Sequence, residues 1–320
     1  VNNQSFIINF LEKIKAEDGL SENTISSYAK DLELFNKFLI SKNIDLINSS
    51  NQDIKNYLYY LHDLKLRSSS ISRKISCLKS FFKFLENENL VKNNPTHSLQ
   101  SPKRESKLPK FLHEEEIFKM LNFINNDQSS FGLKLATMLE ILYSAGLRVS
   151  ELVSLPISAI QFEGDKIRNY IIIKGKGGKE RIAPLNKATQ KILLRYLEMC
   201  KENGFDKSKW LFVGVTRASK KNKKNLNKKI DISYPHITRQ RFHQMLKELA
   251  TKVGIDPNRV HPHVIRHSFA THLLNSGADL RILQELLGHS DISTTEIYTH
   301  IMDSKLHELV FKHHPLNTKL

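Results

Sequence analysis

Residues 261 to 299 read HPHVIRHSFATHLLNSGADLRILQELLGHSDISTTEIYT. Val264, Phe269, Leu273 and Leu274 recur at helical spacing, so the run from Val264 to Leu274 is expected to be a helix. His263 and Arg266 are three apart and share a face at that spacing. A second helical run starts at Asp279 and breaks at Gly288, which puts His289 on a turn. Ser293-Thr294-Thr295 then has the composition of a helix cap, and the short helix beyond it carries Tyr298. Taken singly, an H-x-x-R pair on an amphipathic helix or a tyrosine beside threonines is more often structural. Together these types suit attack on a phosphodiester. A tyrosine hydroxyl is a weak nucleophile that needs a proton acceptor and a phosphorus whose charge is already compensated. Arginine offers a planar fork of donors to two phosphate oxygens, and histidine can bond those oxygens or move protons near neutrality.

The segment resembles the C-terminal signature of the tyrosine recombinases, the phage integrase family, and GADLRILQELLGHSDISTTEIYTHI is most similar to the Xer branch. Working outward from it, YSAGLRVSELVSL has a glycine, Gly146, that permits a helix C-terminal turn, and Ser150-Glu151-Leu152 can begin another helix. Arg148 sits at that junction, where a buried structural arginine is the plain reading. Ile167 to Ile173 and Arg181 to Pro184 are strand-like and enclose IKGKGGKER, a glycine-rich hairpin loop. The loop lacks the spacing of a nucleotide-binding P-loop, so no ATP site is expected. Against the family pattern, GLRVSEL holds the first catalytic arginine, Arg148, and Lys176 matches the catalytic lysine on the hairpin, with Lys174 and Lys179 as its local competitors.

The 320 residues are enough for two domains, and Lys+Arg of 49 against Asp+Glu of 33 gives a net charge of +16. That balance predicts a polyanionic partner, most simply double-stranded DNA, bound less tightly as salt rises. Cys77 and Cys200 lie in apolar helical runs and read as buried thiols in a reducing compartment. No apolar stretch reaches the ~18 residues of a membrane span and no signal peptide is recognisable, so a cytoplasmic protein without a membrane partner is expected. His261, His263, His267 and His272 cluster without carboxylates or cysteines at ligand spacing, and no metal site is expected.

Residues 1–95 read as four amphipathic helices. Their stripes run through Phe6, Phe10 and Ile14, then Ile25, Leu32 and Phe35, then Ile54 and Leu61, then Ile75, Leu78 and Phe82; Gly19 stops the first and Ser21 caps the second. Short hydroxyls with Arg73 and Lys74 at the start of the fourth suit phosphate contacts. Residues 96–110 are polar, Pro-bounded and basic, and read as an exposed linker. The second domain, 111–320, opens with acids after His113 at a helix start and continues through the apolar helix Leu133–Leu142. Lys207 to Tyr234, dense in Lys and Asn, reads as a loop, and the helix from Thr238 presents Arg239, Gln240 and His243 as candidates for groove contacts.

The expected fold is therefore mainly α in two domains. The resemblance implies an N-terminal SAM-like core-binding domain and a mixed α/β, mostly helical catalytic domain with a small antiparallel sheet. It also implies the roles: Arg148, His263, Arg266 and His289 bind the scissile phosphate, with His263 also a proton acceptor. Lys176 protonates the leaving 5′ oxygen and Tyr298 attacks, giving a 3′-phosphotyrosyl link with no ATP or metal required. The implied setting is resolution of chromosome dimers at a dif-like site by a tetramer with a sister recombinase (XerC-like), served by an FtsK-like DNA translocase. A C-terminal segment at about 301–320 would be exchanged between protomers. The alternatives are an integrase of a mobile element and a non-cleaving architectural DNA-binding protein.

Overall fold

The computed structural model describes residues 3–16, 20, 22–99, 111–175, 180–214, 235–287 and 314–315. The chain divides into two compact units, Val1–Lys107 and Leu108–Leu320. Among the described residues no helix is long and apolar enough to cross a membrane.

The first unit holds α1 (Asn3–Ala16), α2 (Glu22–Ser41), α3 (Asn51–Asp63) and α4 (Ser68–Asn87). The start of α3 shows how the local sequence sets a boundary. Ser50 Oγ accepts the Asp53 backbone N–H while the Asp53 carboxylate accepts the Ser50 N–H, which satisfies two end donors at once. The apolar stripes meet in an aromatic core, with Phe10 edge-on to Phe81 and Phe35 edge-on to Tyr57. Gly19 and Ser21, read as the stop of α1 and the cap of α2, lie outside the described residues.

Two expectations for this unit need correction. Lys74 is not a surface cation: it is only 7% exposed, and its Nζ donates to Asp31 Oδ1 at 2.7 Å. Arg73 also bonds Asp31 and reaches the Ser27 carbonyl, so both cations staple α4 to α2 around one buried carboxylate. The cause is register. Lys74 stands three after Ile71 and four before Leu78, on the apolar stripe itself. The second correction concerns residues 96–99 of the expected linker. Thr96 and Leu99 are buried, and Leu99 joins the core of the first unit. Residues 100–110 lie outside the described residues.

The second unit begins with α5 (Glu114–Asn125) and α6 (Ser130–Ala145), followed by α7 (Val149–Val153) and a short 3-10 turn, Ile157–Ala159. Next come β1 (Ile160–Glu163), β2 (Lys166–Lys174) and β3 (Glu180–Pro184) in one antiparallel sheet of that order. Two of these strands were legible; β1 was not, being four residues long with an irregular register against β2. Then follow α8 (Lys187–Glu202), α9 (Arg239–Lys252), α10 (Pro262–Asn275) and α11 (Leu280–Leu287). Almost every residue of α6 from Leu135 onward is buried, and α5, α8 and α10 pack around it.

One polar group in that central helix is informative. Glu140 is buried, with Thr189 Oγ1 at 3.4 Å and the Asn125 side chain as partners. Burial dominates and pushes its carboxyl from 4.5 up to about 7. A raised carboxyl pKa means that its stabilising contribution is full below about 4.5 and is lost as pH rises through about 7. Glu140→Gln, with no proton to lose, is expected to exceed the parent in stability by about 2 kcal/mol at pH 8 and not at pH 5. Urea unfolding at both pH values checks this; equal destabilisation at both would show that ionisation of Glu140 is not what limits the parent.

Candidate active site

The site is built on the corner between α6 and α7. Helix α6 ends at Gly146, whose φ of +58° lies in the left-handed region. Space demands glycine here too, because a Cβ would stand 2.5 Å from Cε1 of Phe269 on α10. This close approach lets Arg266, one turn before Phe269, reach the corner. Arg266 Nη1 donates to the Gly146 carbonyl at 2.5 Å, and Nη2 donates to the Leu287 carbonyl at 2.7 Å. Leu287 is the last residue of α11, so one buried guanidinium joins the α6–α7 corner to the helix end that precedes His289.

Glu151, in the first turn of α7, organises the remaining charge. Its Oε2 accepts the Arg148 backbone N–H at 2.7 Å and its Oε1 accepts Arg148 Nη1 at 2.9 Å. Arg181, the second residue of β3, donates from Nη2 to Oε2 at 2.6 Å, and Arg266 Nη1 lies 4.0 Å from the same oxygen. Among the described residues, three guanidiniums thus gather around the Glu151 carboxylate. Burial is the chief cause that lowers Arg266 to about 10, with Arg148 and Arg181 adding to it and Glu151 opposing it. Arg181 is also lowered, again chiefly by burial. Guanidinium forks gathered at one corner can take the oxygens of an anion such as a phosphodiester.

The sequence-derived candidates divide clearly. Arg148 and Arg266 are brought to one carboxylate from positions more than a hundred residues apart. His263 lies on α10 one turn before Arg266, but it is exposed where Arg266 is buried. Lys176, His289 and Tyr298 lie outside the described residues. On α9, Arg239 and Gln240 are exposed, as surface contacts require. His243 is only partly exposed, and its Nε2 is buried without a hydrogen-bond partner among the described residues, with its ring 6.2 Å from that of His261. Two members of the cluster were missed by sequence reading. Glu151 had been read only as a helix starter, although an acid three residues after a cap position is a signal for bonding back to it. Arg181 had been read only as the first residue of a strand.

Of the C-terminal segment, His314 and Pro315 are described. His314 is fully buried in its own unit, donating from Nε2 to the Tyr143 carbonyl at 3.0 Å, with its ring 4.9 Å from Tyr143 and 5.5 Å from Phe269. Burial drives its pKa down to about 4, so it is neutral in this socket at ordinary pH. In this single chain the segment therefore packs against its own unit at this point.

Comparison with known proteins bears on the same residues. Residues 110–305 match the phage integrase family, and residues 7–89 match the phage integrase N-terminal SAM-like domain. The chain is similar to the tyrosine recombinase XerD of Rhizobium meliloti (strain 1021), at 40% identity over 318 residues, covering 98% of this chain and 96% of that one. Among solved structures it resembles the XerH site-specific recombinase bound to a palindromic difH substrate, with TM-score 0.66 and 22% identity over 97% of this chain and 89% of that one. It also resembles a lambda integrase tetramer bound to a Holliday junction, with TM-score 0.63 and 17% identity over 92% and 76% of the two chains. At those identities the two structures speak for the fold alone.

Proposed function

The chain belongs to the phage integrase family of tyrosine recombinases, DNA strand-exchange enzymes, and on that premise we propose that it resolves chromosome dimers at a short dif-like site. The observation that carries the chemical part is the convergence of Arg148 and Arg266 on one corner, where two guanidinium forks suit a phosphodiester. In this reading Arg148, His263, Arg266 and His289 hold the scissile phosphate. The Tyr298 hydroxyl forms the new O–P bond, its proton passing to His263, and the P–O5′ bond breaks as Lys176 protonates the leaving oxygen. The 5′ hydroxyl of the partner strand then reverses the step. Bond energy stays in the phosphotyrosyl ester, and the scheme needs neither ATP nor a metal.

The cellular part rests on full-length similarity to XerD. The proposed assembly is a tetramer on two sites with a sister recombinase (XerC-like), controlled by an FtsK-like translocase, in the cytoplasm. Arg239 and Gln240, exposed at the start of α9, are proposed as groove contacts, while Arg73 contributes at most at the edge of its bond to Asp31.

The test is covalent trapping on a duplex that carries a dif-like site and a nick beside the cleavage position, with EDTA present. We expect a denaturation-resistant protein–DNA adduct that is lost in Tyr298→Phe while the gel shift survives. A salt-sensitive gel shift without any adduct, even with a sister recombinase added, would instead identify a non-cleaving DNA-binding protein.

A further inference from the structure

Arg181 has no part in the scheme above, yet it is the more deeply buried of the two arginines bonded to Glu151, with a side chain 15% exposed against 37% for Arg148. It stands opposite Ile173 in the β2–β3 ladder, and alternation along β3 puts it on the same face as the buried Ala183. A guanidinium on the inward face of a sheet needs a reason. Among the described residues its Nε and Nη1 are buried without a hydrogen-bond partner, so the bond from Nη2 to Glu151 does not by itself offset the cost of burying it.

The two oxygens of Glu151 supply that reason. Oε1 accepts Arg148 Nη1 at 2.9 Å and so sets where that guanidinium lies. Oε2 accepts the Arg148 backbone N–H at 2.7 Å and Arg181 Nη2 at 2.6 Å. Arg148 is thus held by a carboxylate that is itself held from the sheet. Such a carboxylate has a drawback for anion binding, because an opposite charge beside Arg148 cancels part of what it offers a phosphate. A second guanidinium on the inner side of the same carboxylate offsets that charge. Glu151 is buried, so solvent ions screen neither pair strongly.

We propose that Arg181 is a positioning residue for strand cleavage: it anchors the Glu151 carboxylate and offsets its charge, so that Arg148 lies in a fixed place with its own charge available to the scissile phosphate. This rests on the reading of Arg148 as a phosphate ligand. Arg181 acts through Arg148 and does not itself touch the DNA. The charge of the phosphate then separates this role from a merely structural one. Replacing a non-bridging oxygen by methyl gives a neutral methylphosphonate, with no negative charge for Arg148 to compensate. A defect in charge compensation shrinks on that substrate, and a defect in folding does not.

The experiment measures single-turnover adduct formation at saturating protein on matched phosphodiester and methylphosphonate nicked duplexes. The proteins are the parent, Arg148→Met, Arg181→Met, Arg181→Lys and the double variant Arg148→Met with Arg181→Met. Arg181→Met is expected to be slowed about 100-fold on the phosphodiester, the scale of a misplaced contact, and to approach the parent on the methylphosphonate. Arg181→Lys, which keeps a positive charge for Glu151, is expected to recover part of the loss. The double variant is expected to be no slower than Arg148→Met, since the two side chains act as one unit. Equal loss on both substrates for the Arg181 variants, with Arg148→Met slow on the phosphodiester alone, overturns the positioning role, and so do parent-like rates. A double variant slower than Arg148→Met by the full Arg181 factor shows independent action and overturns it too. Equal loss on both substrates for Arg148→Met overturns the reading of Arg148 as a phosphate ligand, and the proposal falls with it. If Arg181→Met does not fold, the same comparison on Arg181→Lys decides, a selective phosphodiester defect supporting the proposal and an equal defect, or none, refuting it.

Discussion

Arg266→Lys is expected to lose about 3 kcal/mol of stability and to form adduct about 100- to 1,000-fold more slowly, although it keeps the positive charge. The argument is geometric. The guanidinium fork spans two carbonyls, Gly146 and Leu287, that belong to separate elements, at 2.5 and 2.7 Å. An ammonium is a compact charge on a flexible stem and cannot hold both in a fixed fork geometry. At least one buried carbonyl is left short of its partner, and the end of α11 loses its tie to the α6–α7 corner. Catalysis suffers alongside stability because the proposed phosphate ligands follow these two carbonyls in the chain, Arg148 after Gly146 and His289 after Leu287. Denaturant unfolding and single-turnover trapping on the same preparations check both numbers. Parent-like unfolding with a large rate loss would mean that Arg266 acts only through its proposed contact with the scissile phosphate and that the bridge between the two carbonyls adds nothing.

Glu151→Gln carries the second large effect, a loss of about 3 kcal/mol or more, because removing one member of a buried ionic group strands its partners. The amide oxygen can still accept a bond, but it no longer offsets Arg148, Arg181 and the nearby Arg266. In a unit of this size that loss lowers Tm by roughly 6–12 °C. The double variant Glu151→Gln with Arg181→Met is expected to be less damaged than the two single losses summed, since a guanidinium with no carboxylate is the costly species. Additive losses in that cycle would show that the pair is not energetically coupled. High salt is expected to narrow the gap only slightly, because the cluster is largely buried.

The local grammar of the chain was enough for much of this architecture. Periodic stripes such as Ile75, Leu78 and Phe82 announced the four helices of the first unit. Gly146 announced the corner that carries Arg148. The glycine-rich connection between Ile173 and Arg181 announced the hairpin. Each of these signals is local, set by residues within one or two turns of each other. The features that only tertiary structure decided all depend on groups far apart in sequence. Lys74 looked like a cation at a helix start, but its partner Asp31 lies 43 residues away and takes it into the core. Strand β1 has four residues and is defined by pairing with β2 more than by its own pattern. Arg266 finds the Gly146 carbonyl across 120 residues, and Arg181 finds Glu151 across 30. Residue types along a chain specify what a side chain is able to bond; which carboxylate or carbonyl it meets is set by the packing of α10, α7 and β3 against α6, and that packing brought three arginines around one carboxylate.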